Sequence, residues 1–108
     1  MSSEPTVVST DGLLRAVADE KRRTILRYLI AQPVRWVSVG ELADVLGPVE
    51  PTRPGESNGN IELHHVTLPH LDRAGLVEYH RNRGVRYRGS EPAEQLLRCL
   101  EWLDTADH

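Results

Sequence analysis

Phenylalanine is absent from the 108 residues, cysteine occurs once, and lysine occurs once among thirteen strong bases. A single cysteine, Cys99, excludes an internal disulfide and any all-cysteine metal cage, which leaves a small buried hydrophobe as its expected role. No stretch approaches the roughly 18 consecutive apolar residues of a membrane helix, and Met1-Ser2-Ser3-Glu4-Pro5 lacks a basic region followed by an apolar run. The expectation is a cytoplasmic protein with no membrane partner. Without phenylalanine, Leu, Val, Ile and the two Trp must fill the core. Glycine-rich phosphate loops and convergent nucleophile, base and stabiliser sets are also missing, so neither catalysis nor a cofactor is expected.

The charge that is present is unevenly placed. The net charge is −3, which opposes indiscriminate binding to polyanions. Yet Arg81, Arg83, Arg86 and Arg88 fall between Glu78 and Glu91 with no acid among them. Four like charges in one short segment repel one another, and an anionic partner offsets that cost. Twelve of the thirteen bases are Arg, the planar donor suited to phosphate and guanine.

Residues 1–9 are polar and aperiodic and read as a disordered arm, residues 10–104 as one domain, and 105–108 as a tail. Leu13, Leu14, Val17 and Ala18 have helical spacing. Asp19 can cap a second helix carrying Ile25, Leu26, Leu29 and Ile30, which Pro33 ends; its Lys21, Arg22, Arg23 and Arg27 form a polar face. Val34, Trp36 and Val37 suit one short edge strand. Ser38 and Glu41 have capping-box spacing and open a third helix with Leu42, Ala43 and Leu46, stopped at Gly47-Pro48. Residues 47–60, rich in Pro and Gly, are expected to be a mobile loop.

A helix resumes near Asn60 and runs toward Arg73, with Ile61, Leu68 and Leu71 on one side. Pro69 cannot donate to the carbonyl of His65, so a kink or division is expected there. Leu63 and Val66 would also lie opposite Leu68 and Leu71 on one straight helix. Val77 and Tyr79, then Val85 and Tyr87, alternate with polar residues around a turn and predict a hairpin tipped by the arginines. Pro92 opens a last helix with Leu96, Leu97, Leu100 and Leu103. The fold class is therefore mainly α with a small β-hairpin wing.

Helix, helix, strand, helix, helix, basic hairpin, helix is the winged helix-turn-helix order. Asp19-Glu20-Lys21-Arg22-Arg23-Thr24-Ile25-Leu26 resembles the second-helix opening of ArsR-type regulators, and Val39-Gly40-Glu41-Leu42-Ala43 looks like the helix before their turn. Leu68-Pro69-His70-Leu71-Asp72-Arg73-Ala74-Gly75-Leu76-Val77 is similar to the end of their recognition helix entering the wing. Together with His64-His65 and the Arg-rich hairpin, these segments most resemble small haloarchaeal winged-helix proteins.

That resemblance implies a DNA-binding regulator of transcription whose recognition helix enters the major groove while the wing holds phosphates. By position, Asn60, Glu62, Thr67, His70 and Arg73 would read bases and Arg81, Arg83, Arg86 and Arg88 would grip the backbone of double-stranded DNA. His64, His65 and His70 lack the i, i+3 or i, i+4 spacing and the cysteines of a metal site, so no metal is expected. Leu96, Leu97, Cys99, Leu100, Trp102 and Leu103 wrap more than one face of the last helix, which points to a homodimer formed through Leu96, Leu100, Trp102 and Leu103 with the first helix beside them. The rival reading is a winged helix used as a protein-interaction module, since this fold serves both purposes.

Overall fold

A computed structural model of the protein describes residues 9–47 and 59–106, with no side chains described at 59, 60 and 106. Residues 1–8 of the expected 1–9 arm, most of the Pro/Gly loop (48–58) and residues 107–108 of the expected tail lie outside the described part. Ser9 caps the first helix, and Thr105 and Ala106 belong to the last one, which corrects both bounds. The elements run α1 (Thr10–Ala16), α2 (Glu20–Ile30), α3 (Val39–Leu46), α4 (Gly59–Glu62), a π-helical turn (Leu63–Thr67), α5 (Leu68–Arg73), β1 (Val77–His80), β2 (Gly84–Tyr87) and α6 (Glu91–Ala106). The described part is thus mainly helical, with one antiparallel hairpin in which Val77 faces Tyr87 and His80 faces Gly84.

Polar caps set where the first helices begin. Ser9 Oγ accepts from Gly12 N, Asp19 Oδ2 from Arg22 N at 3.0 Å, and Ser38 Oγ from Glu41 N at 3.0 Å. Each cap satisfies one of the amides that a helix start leaves without an intrahelical partner. The reciprocal half of the expected capping box is replaced, because the Glu41 carboxylate bonds the Tyr28 hydroxyl and Arg35 Nη2 instead. Those partners, Arg35 foremost, hold the Glu41 carboxyl below the ordinary range.

The cations on α2 have structural partners rather than a merely solvated face. Arg22 Nε donates to Ala16 O at 2.9 Å, and Arg23 Nη1 donates to Val17 O at 2.6 Å. Both guanidiniums therefore satisfy carbonyls exposed at the end of α1. Lys21 pairs with Glu62, and Arg27 Nε lies 3.1 Å from Glu101 Oε2, joining α2 to α6 by charge without the alignment of a hydrogen bond.

Ile25 and Leu26 of α2, Leu42 of α3, Leu63, Leu68, Leu71 and Leu76, and Val37, Val77 and Val85 of the β region form the fully buried centre. Leu63 belongs there because of the π turn. Residues five apart sit roughly 140° apart on an α-helix, but i to i+5 bonding stacks them nearly in line. Leu68 N does bond Leu63 O in this way, so both leucines enter the core and Val66 is left exposed. The expected interruption is therefore a change of helical register ahead of Pro69, which then sits in the first turn of α5 where its missing N–H costs least.

Gly75, at φ +84°, ends α5. Its N–H bonds Asp72 O and that of Leu76 bonds Leu71 O, the paired bonds of a left-handed helix stop that glycine adopts without strain. The expected edge strand contracts to one bridge, in which Val37 and Val85 exchange two hydrogen bonds of 2.8 Å, while Val34 is two-thirds exposed.

In α6 only one face packs inward. Ala93 and Leu97 are buried, Leu96 and Leu100 half-buried, and Cys99 exposed, contrary to its expected burial. Residue 99 lies roughly 200° around the helix from Leu97, away from the core.

The joint between β2 and α6 carries a pH dependence. Tyr87 is buried, accepts from Ser90 N at 2.9 Å and donates to Glu94 Oε2 at 2.8 Å, while Ser90 Oγ accepts from Ala93 N in the first turn of α6. Burial first, then the Glu94 bond, push its phenol up to about 12 from 10.0. The folded state thus holds this proton more tightly than the unfolded chain. The associated stability is complete below pH 10.0 and is lost as pH rises toward about 12. Urea midpoints measured from pH 9 to 12 should fall over that window, and Tyr87→Phe should flatten the fall while lowering stability at pH 7.

Candidate nucleic-acid interface

The helical run over residues 59–73 and the turn Arg81-Asn82-Arg83 lie side by side. Two contacts hold them in that relation. His64 Nδ1 and the Tyr79 hydroxyl are 2.5 Å apart, and Tyr79 N donates to Asp72 Oδ2 at 3.2 Å. Ile61, His64, His65 and Arg81 then line an open cleft of about 360 Å³ between helix and turn.

The base-reading candidates separate. The backbone of Asn60 lies in α4, its side chain outside the described residues. Thr67 is a correction: it is 5% exposed, one helical turn from buried Leu63 on one side and buried Leu71 on the other, so it packs against the core instead of facing outward. His70 is half-buried near the α1–α2 junction. Burial, then the charges of Arg22, Arg73 and Arg15, hold its imidazole below the ordinary range. Glu62 is taken by Lys21. Arg73 is exposed as expected.

Exposed beside these are His65, Val66 and, contrary to its expected place on the side of Leu68 and Leu71, Ile61, the two aliphatics each about half exposed. Helical spacing already sets Val66 opposite Leu68 and Leu71; the π register departs from it by bringing Leu63 inward and leaving Ile61 out.

The four hairpin arginines also divide. Arg81 is exposed and reaches the cleft. Arg86 is half-buried, donates through Nε (3.0 Å) and Nη2 to Glu78 Oε1, and lies 4.9 Å over the Trp36 ring. Arg83 lies 5.6 Å over the same ring, which also meets His80 edge-on at 5.2 Å. Arg86 above all holds the Glu78 carboxyl below its usual range. Glu78 and Arg86 are directly paired across the strands, so the ion pair and the indole platform stiffen the hairpin. Arg88 is exposed, and its N–H donates to Leu76 O. The expectation of four equivalent, outward cations is thus corrected for Arg86, whose charge is shared with Glu78.

Among the described residues no group of three His, Cys, Asp or Glu side chains could hold a metal ion, and no helix is long and apolar enough to cross a membrane. Leu14, Trp102 and Leu103 are exposed large apolar side chains on α1 and α6.

A family model described as "Domain of unknown function (DUF7344)" matches residues 14–86, from α1 into β2. No curated protein and no solved structure matches the chain.

Proposed function

The chain belongs to this DUF7344 family, whose description assigns no activity, and from that premise we propose that it is a winged helix-turn-helix regulator that binds double-stranded DNA. One observation carries the reading. A cationic hairpin turn stands against the exposed side of a helix, with Arg81 sharing a cleft with Ile61, His64 and His65. In this reading the helix over 59–73 enters the major groove, as in the ArsR-type regulators that residues 68–77 resemble, and the hairpin is the wing. Arg73 reaches a base edge. Arg81 contacts phosphate directly, whereas Arg83, Arg86 and Trp36 set the wing's shape and field. Ile61 and Val66 suit apolar contact with thymine methyl groups.

Such a regulator acts in the cytoplasm as a homodimer. Trp102 and Leu103, with Leu14, leave an apolar surface that a second copy would cover, and two-fold symmetry would present two recognition helices one DNA turn apart. Sedimentation at high micromolar concentration should give twice the chain mass, and Trp102→Ala with Leu103→Ala should return it to the monomer. A strictly monomeric wild type would remove the dimer.

The same apolar pair, Ile61 and Val66, favours the rival reading of a winged helix that docks a protein, because half-exposed aliphatics on an otherwise polar helix face often mark protein contacts. Titration of the full chain against specific and scrambled duplexes across salt decides between the readings. DNA binding gives a linear loss of log affinity with log salt; a protein module gives no binding.

A further inference from the structure

The cleft between the π turn and the hairpin has a composition that selects its ligand. Its donors are the guanidinium of Arg81 and the imidazoles of His64 and His65, and its apolar wall is Ile61. Among the described residues no carboxylate lines it, and Glu62, the neighbour of Ile61, is held 2.9 Å from Lys21 Nζ. His64 is held in place from behind. Its Nδ1 meets the Tyr79 hydroxyl, and the Tyr79 backbone is tied to Asp72, so Nε2 is the ring nitrogen left for the cleft. A volume of about 360 Å³ suits a small-molecule fragment rather than a lone ion.

We propose that this cleft binds the sugar-phosphate unit of a nucleotide, with the phosphate on Arg81, His64 and His65 and the sugar against Ile61. Guanidinium and imidazole N–H groups are the donors that phosphate oxygens take, and the aliphatic wall matches the C–H face of a sugar. Resting on the DNA-binding reading, the assignment makes the occupant one backbone phosphodiester of the duplex, seated where helix and wing meet. A free nucleotide carries the same chemistry, and the experiment separates the two sources.

The test follows the imidazole ¹⁵N resonances of His64 and His65 in the full chain. Inorganic phosphate, a deoxynucleoside monophosphate and a duplex are added in separate titrations. Saturable shifts of both rings are expected with each. The monophosphate should bind severalfold more tightly than inorganic phosphate, and Arg81→Gln should weaken both about tenfold. With the duplex, Arg81→Gln should lower the salt slope by about one. Arg81 and His65 are both exposed, so His65→Gln provides a second variant that leaves the core untouched.

If the duplex binds while both ring signals stay still, the cleft assignment fails and the DNA-binding reading stands. Where phosphate and monophosphate shift the rings but the duplex does not bind, the site stands, its occupant is a free nucleotide, and the DNA reading falls. Shifts that persist unchanged in Arg81→Gln overturn the assignment.

Discussion

Replacing Arg73 and Arg81 together by Glu should lower affinity for duplex DNA by about 100-fold or more at physiological salt, and move the thermal midpoint by no more than about 4 °C. Both side chains are exposed, one at the end of α5 and one at the hairpin turn. Each exchange removes a cation and sets an anion against phosphate, so the losses compound, whereas surface substitutions barely change folding. The single variants should differ in kind. Arg73→Ala should reduce discrimination between specific and scrambled duplexes, and Arg81→Ala should weaken both alike. Unchanged affinity in the double variant would defeat the DNA-binding reading and promote the protein-docking one.

Reversing Arg83 and Arg86 is a poorer test of binding. A glutamate at 86 would face Glu78 across the strands and empty the indole platform of Trp36, so stability would fall together with any loss of affinity.

Replacing Gly84 by Ala should destabilise the domain by about 3 kcal/mol or more, a large fraction of the roughly 5–15 kcal/mol that holds a small domain folded. Gly84 has φ +102°, and a Cβ there would lie 2.1 Å from Val37 O and 2.9 Å from Val37 C. Those atoms are backbone and are fixed by the two Val37–Val85 hydrogen bonds, so relief requires breaking the bridge that seats the hairpin on the helices. Thermal melts followed by circular dichroism should show a midpoint lower by about 12 °C or more. Gly40→Ala is the control, because that helical glycine has only Ser38 Oγ within 4 Å, at 3.9 Å, and alanine there should be neutral or better. A loss below about 1 kcal/mol in Gly84→Ala would show that the hairpin shifts freely against Val37.

Much of this fold is local, and the chain's own chemistry decides it. Asp19 and Ser38 cap α2 and α3, Gly75 ends α5, and the alternation of Val77, Tyr79, Val85 and Tyr87 specifies the hairpin, because each signal acts within a few residues. The concentration of arginine between Glu78 and Glu91 was equally legible as charge. What each arginine does was not. Arg86 is paired with Glu78 from the opposite strand, and Arg83 and Arg86 lie over the ring of Trp36, 47 and 50 positions earlier in the chain, so only the folded hairpin brings these groups together. The fate of the helix over 59–73 also depended on packing. A sequence period assumes one helical register, whereas the core takes both Leu63 and Leu68 and imposes the π turn that reconciles them. With Leu63 inside, Ile61 is left exposed and shares a cleft with His64, His65 and Arg81, so the chemistry of the candidate site comes from the sequence while its membership was decided by tertiary packing.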